Sequence, residues 1–133
     1  MYLLDTDILS YFIRGDADVV ARFERAGSSI LLVSVVSLYE LAFGVFRDRG
    51  KEVLEEGLDR VIDLFTPLPI DLQVAMEGAR VRSDLESMGR PAGPLDPLIA
   101  ATARVHGLVL VTHNVKHFEA VPGLEIEDWK AGG

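Results

Sequence analysis

Asp5, Glu40, Asp96 and Asn114 are oxygen donors scattered along the chain, each where an expected strand ends or an expected helix begins. Such donors suit a hard divalent cation, which keeps room in its shell for waters and a substrate phosphate. Cysteine is absent, which excludes thiolate metal sites, disulfides and Cys nucleophiles together. The start of the chain carries the densest signal. Tyr2-Leu3-Leu4 is an apolar strand that runs into Asp5-Thr6-Asp7 and then directly into a helix, and charge at the end of a core strand is costly unless something uses it.

Each acid also has a purely structural reading. Asp7 precedes a helix and reads first as its N-cap. Asp96 stands immediately before Pro97, and proline favours the first helical position, so Asp96 fits a cap as well as a ligand. Glu40 completes Ser37-Leu38-Tyr39-Glu40, which matches a capping box, although Ser34 is the better helix start. Counted from Ser34, Glu40 falls on a narrow stripe with Ser37, Gly44 and Arg47 that could equally be solvated. Asp5 has the weakest structural alternative. The joint placement is what persuades.

That placement depends on the elements. Strand-like runs occur at Tyr2–Leu4, Ile30–Val33, Leu68–Ile70, Leu108–Thr112 and Leu124–Ile126. Helical patterns fill the spaces: Ile8–Arg14, a helix capped by Asp16 or Asp18 and ending at Ala26, Val35–Asp48, Glu52–Phe65, a helix from Asp71 to Met88, and Pro97–His106. In Glu52–Phe65 the residues Leu54, Leu58, Val61, Ile62 and Phe65 should share a face; in the helix from Asp71, Val74, Val81, Leu85 and Met88 should. Strands alternating with helices predict an α/β/α sandwich of three layers around a mainly parallel sheet of four to five strands. In such sheets ligands bind outside the carboxyl ends of the strands. Asp5, Asn114, Asp96 and the backward-leaning Glu40 are all expected at that edge.

The chain of 133 residues fits one domain, spanning 1–133. No apolar run approaches the roughly 20 residues of a membrane span, and Asp5 and Asp7 interrupt any signal-peptide layout. A soluble protein of the reducing cytoplasm is expected. The net charge of −8 counts against a passive nucleic-acid-binding module. It does not count against an enzyme whose acids hold cations, because the metal supplies the positive charge.

Four segments together resemble the PIN-domain ribonucleases, specifically the VapC-type toxins of prokaryotic toxin–antitoxin pairs. They are Leu4-Asp5-Thr6-Asp7, Tyr39-Glu40-Leu41-Ala42-Phe43-Gly44, Asp96-Pro97-Leu98-Ile99-Ala100-Ala101-Thr102-Ala103, and Leu110 to Phe118 followed by Val121-Pro122-Gly123-Leu124. The resemblance covers nearly the whole chain. It implies that Asp5, Glu40 and Asp96 bind metal and carry catalysis, with Thr6 a hydroxyl beside the first. It further implies RNA as substrate, Mg²⁺ as cofactor (Mn²⁺ substituting), a cognate antitoxin as partner, and a homodimer. The chain departs from the pattern at Asn114, where many relatives carry aspartate, and at His117, where many carry an acid. A second metal site is left open by both.

On this reading Asp5 and Asp96 are the principal ligands, Glu40 a ligand or the group that orients the attacking water, and Asn114 a further donor. Thr6 and Thr112 supply supporting hydroxyls. Basic residues cluster at Arg47, Arg49 and Lys51, and at Arg104, His113, Lys116 and His117; each cluster is either a substrate grip or a set of solvated helix ends. His113 and His117 also allow a histidine metal site. Trp129 is expected to pack. Two rivals stand beside the ribonuclease: a phosphatase of the haloacid-dehalogenase type, which would place Thr or Val at Leu9, and a catalytically degenerate PIN-fold binding scaffold.

Overall fold

Tyr2-Leu3-Leu4 is apolar throughout because strand β1 (Tyr2–Leu4) is the middle of a five-stranded sheet covered on both faces. In the computed structural model, which describes residues 1–27 and 30–130, the other strands are β2 (Leu31–Ser34), β3 (Pro67–Leu68), β4 (Val109–Val111) and β5 (Ile126–Glu127). Residues 131–133, the end of the domain expected over 1–133, lie outside the described residues. The strand order is β3-β2-β1-β4-β5 and every pairing is parallel. Each crossover carries helix: α1 (Thr6–Ile13) and α2 (Ala17–Ala26), then α3 (Val35–Arg47) and α4 (Glu52–Leu64), then α5 (Leu72–Ser87) and α6 (Asp96–His106), and finally α7 (Val115–Phe118).

Alternation along the strands divides the interior into two layers of packing. Leu4 and Val111 point into a cluster with Ile8, Leu9, Leu41, Leu58 and Val61 from α1, α3 and α4. Their neighbours Leu3 and Leu110 point the other way, into a cluster with Val81, Leu85, Ile99 and Ala103 from α5 and α6. The expected three-layer α/β/α arrangement is therefore present. Trp129 packs as expected: it is buried, stands edge-on to Tyr2 with ring centroids 5.1 Å apart, and donates its indole N–H to Glu127.

Local differences have local causes. The third strand is Pro67–Leu68 rather than Leu68–Ile70, since an edge strand of two residues carries too little pattern to fix its register. Ile62 and Met88 are half exposed, off the faces assigned to them, because α4 buries only the stripe packed against α1 and α3, and α5 only the stripe packed against α6. Helix α7, with four residues, is too short for a helical period to show.

Helices α1 and α4 approach so closely that only glycine fits at position 57, where an added Cβ would lie 2.5 Å from the Ile13 Cβ and 3.4 Å from its Cα. Alanine would gain about 1 kcal/mol of helix propensity, but overpacking costs about 1–3 kcal/mol. Gly57→Ala should therefore lower the urea midpoint at unchanged m. A raised midpoint would show that the two helices can separate freely.

Candidate active site

The register sets Leu4 opposite both Val33 and Val111, so Asp5, Ser34 and Thr112 emerge side by side at one edge of the sheet. The chain leaves β1 for β2 on one side and reaches β4 on the other, which opens a crevice at the strand ends. Asp5 enters this crevice as the N-cap of α1, with extended backbone (φ −72°, ψ 162°). Its Oδ1 accepts the Thr6 N–H at 2.8 Å, and its Oδ2 accepts the Thr112 hydroxyl at 2.8 Å. Only 5% of the residue is exposed. Both carboxylate oxygens are thus fixed in direction, and the ligand and cap readings of Asp5 coincide.

Glu40 comes from the other side. Ser34 caps α3 by accepting the Val36 N–H at 3.0 Å, which sets Glu40 in the second turn and removes the capping-box reading. The Thr6 hydroxyl donates to Glu40 Oε1 at 2.7 Å, linking α1 to α3 across the site.

Two structural readings are corrected. Asp7 is not the cap of α1 but its second residue, because Asp5 already provides the cap. Its Oδ1 accepts the Ile8 N–H at 2.7 Å, and its Oδ2 accepts the N–H groups of His113 (3.0 Å) and Asn114 (3.2 Å), tying the β4–α7 turn to the start of α1. Asp96 is the first residue inside α6 rather than the residue before it. Leu95 holds the cap position, and no side chain caps this helix. Asp96 instead meets His117, whose Nδ1 stands 3.3 Å from Oδ2. Asn114 is exposed; its N–H is held by Asp7 and by the Thr112 Oγ1 at 3.0 Å.

One cleft is lined by Asp5, Thr6, Asp7, Ser10, Glu40, Asp96, Asn114 and His117. Every site residue expected from the sequence lines it except Thr112, which stands behind Asp5 and donates to its Oδ2. Asp7, read first from the sequence as a cap, and His117, read there as part of a basic cluster, line it as well, and Ser10 is an addition. Ser10 lies three residues beyond Asp7 and four beyond Thr6, the spacing of one helix face, and that pattern was available in the sequence. The histidines do not converge: His113 pairs with Asp128 at 3.0 Å, away from His117. Arg104 and Arg47 are held by Glu77 and Asp48.

The electrostatics of the cleft are those of excess negative charge. Burial first, then the charges of Asp7 and Asp96, together raise the Asp5 carboxyl to a pKa of about 7, against the hydrogen bonds from Thr112 and Thr6. Burial also raises Asp7, opposed by the His113 N–H, and raises Asp96, opposed by His117. Among the described residues no three carboxylates or imidazoles close a cage around one ion. The acids instead face a shared opening. An oxygen-lined opening of this kind fits a hard divalent cation that takes one or two carboxylates and keeps several waters.

Comparison with known proteins points the same way. Residues 2–124 match the family model described as PIN domain. The chain is 31% identical, over 96% of its length and 97% of the relative's, to the tRNA(fMet)-specific endonuclease VapC of Salmonella typhimurium. It superposes with a TM-score of 0.88 on a chain of VapBC2 from Rickettsia felis bound to a promoter DNA fragment, at 28% identity and covering 97% and 98% of the two chains. With DNA-bound VapBC from Salmonella typhimurium the TM-score is 0.87 at 32% identity, covering 96% and 97%.

The raised Asp5 pKa has a measurable consequence in metal-free protein. The unfolded carboxyl loses its proton near pH 3.8 and the folded one near 7, so the group destabilises the fold progressively as pH rises between those values. The full cost above pH 7 is on the order of 4 kcal/mol at most, at about 1.4 kcal/mol per pH unit. Asp5→Asn should therefore stabilise the protein in EDTA, more at pH 8 than at pH 5, by urea unfolding. An equal effect at both pH values would show that Asp5 titrates normally.

Proposed function

Because the chain belongs to the PIN-domain family, we propose that it is an endoribonuclease that hydrolyses RNA phosphodiester bonds with Mg²⁺, or Mn²⁺ in its place, as the toxin of a type II toxin–antitoxin pair. The observation that carries this is the meeting of Asp5, Glu40 and Asp96 in one cleft at the ends of the strands. The VapC relatives, matched over nearly their full length, support the same reading and lend nothing to the phosphatase or scaffold alternatives.

Asp5 and Asp96 would hold the cation, with Glu40 and Asn114 as further donors. Bound there, a divalent cation would supply charge to offset the phosphodiester and to make water a better nucleophile near neutral pH. The remaining work falls to the chain. Thr112 and the Thr6 N–H fix the Asp5 carboxylate, so that it does not have to be ordered when the cation arrives. Glu40, aimed by the Thr6 hydroxyl, is a ligand or accepts the proton of the attacking water. His117 keeps Asp96 turned into the cleft. Helices α1 and α6 begin at the site, and their N-terminal dipoles favour ionised carboxylates and an approaching phosphate. Asn114 carries no charge and so offers a second cation a weaker donor than aspartate would.

The partner under this proposal is a protein antitoxin, as in the VapBC assemblies that the fold superposes on. The chain acts in the cytoplasm as one unit over residues 1–133. Among the described residues no helix is long and apolar enough to cross a membrane. Exposed Tyr39, Phe43 and Phe46 on α3 offer apolar surface for a homodimer or for the antitoxin.

Single-stranded RNA should be cut by the parent protein in Mg²⁺ and not in EDTA. Asp5→Asn and Asp96→Asn should each lower the rate by at least about 10²-fold with circular dichroism unchanged. Mutants that cut like the parent would remove the assignment. Thr112→Val, which leaves Asp5 in place but frees its Oδ2, should cost about 10–100-fold in metal affinity or rate; unchanged titration with Mn²⁺ would show that Thr112 only packs.

A further inference from the structure

We propose that a second cleft, opening from the catalytic one between the α5–α6 connection and α7, holds an RNA phosphate flanking the scissile bond, with Lys116 as its cation. The proposal rests on the ribonuclease reading of the site. Asp96 and His117 line both clefts, so a strand lying over the acids can continue into the second without leaving the surface. The change in charge along that path is abrupt. The catalytic cleft carries Asp5, Asp7, Glu40 and Asp96. Beyond Asp96, every other titratable residue lining the second cleft is basic: Arg90, Lys116 and His117. For a chain of net charge −8 this is a local reversal of sign.

The cations there differ in what they are free to do. Arg90 is occupied: its Nη2 donates to the Lys116 carbonyl and to Glu119 Oε1, both at 3.1 Å, which straps α7 to the α5–α6 connection. His117 is engaged with Asp96. Lys116 is exposed and, among the described residues, forms no ion pair. Arg90 therefore acts as a positioning residue, fixing the backbone from which an unpaired ammonium reaches over the cleft. The opposite exit from the catalytic cleft, towards Arg14 and Arg47, carries an acid of its own beyond Glu40: Asp48 pairs with Arg47 at 3.5 Å, while Arg14 donates to the Ser10 hydroxyl at 3.2 Å. Charge complementarity thus favours one direction for the strand.

Lys116→Gln should raise KM for a single-stranded RNA of about ten nucleotides several-fold at low salt and leave kcat within about twofold. The slope of log kcat/KM against log salt should become shallower by about 0.7, the value for one phosphate contact on a single strand. Lys116→Arg should restore both, and on a dinucleotide with no flanking phosphate the penalty should vanish. Arg25→Gln, at an exposed basic residue outside both clefts, should change none of these. Anisotropy of the same RNA on the uncleaving Asp5→Asn background, with and without Lys116→Gln, reads the contact without turnover and should show the same loss. If the parent cuts RNA but Lys116→Gln keeps its KM, salt slope and binding, the subsite is overturned while the ribonuclease stands. If the parent cuts no RNA, both fall together.

Discussion

The buried carboxylate of Asp5 is the constraint that the rest of the site answers to. A charge at the end of the central strand, almost fully removed from water and close to Asp7 and Asp96, is costly in any fold that does not use it. The surroundings reduce this cost only in part. The Thr112 hydroxyl and the Thr6 N–H supply two hydrogen bonds, and α1 presents its positive end, yet the carboxyl still rises to about 7. Under the proposed function a divalent cation would satisfy what remains. Stability and function therefore oppose each other at this residue, which is common where a site is preorganised for a charge it does not itself contain.

Topology makes the arrangement possible with little machinery. Strand β1 has parallel neighbours on both sides in matched register, so three crossovers start from one edge and each carries a polar residue at the end of an apolar strand. Asp5, Ser34 and Thr112 occupy equivalent places and take different roles. Asp5 caps a helix and faces the cleft, Ser34 caps the helix that carries Glu40, and Thr112 fixes Asp5. The Thr6–Glu40 hydrogen bond then makes the spacing of α1 and α3 part of the site, so packing in the layer below, including the close contact at Gly57, bears on where the carboxylates stand.

Much of this was legible in the sequence because it follows from strong local patterns. The apolar strands, the caps Ser34 and Asp71, and the donors at strand ends could be placed without knowing any contact. What could not be read depends on a competition between neighbours. Asp5 and Asp7 both precede the same apolar run, and which one caps α1 is decided by the extended backbone of Asp5 and by the β4–α7 turn that Asp7 must hold, a partner more than a hundred residues away. Asp96 is inside α6 because Leu95 takes the cap position without a side-chain bond, which no capping rule favours. The pairing of His117 with Asp96 lay hidden because it spans two helices, one of them too short to leave a periodic trace.

Asn114 and His117, where the sequence resemblance leads one to expect acids, gain a physical sense from the same constraint. Asn114 and His117 stand on the rim of a cleft that already holds four acids. Further carboxylates there would add like charge around a group whose ionisation is already opposed by its neighbours. A neutral amide keeps an oxygen donor at the rim without that charge, and an imidazole beside Asp96 opposes the rise in its pKa that burial causes. Both residues leave the cleft less negative in the absence of metal than acids would, and offer less to draw in a second cation. Charge that the site itself no longer attracts must come from elsewhere to meet a polyanionic strand, and the basic cleft behind His117 is continuous with the place where it is needed.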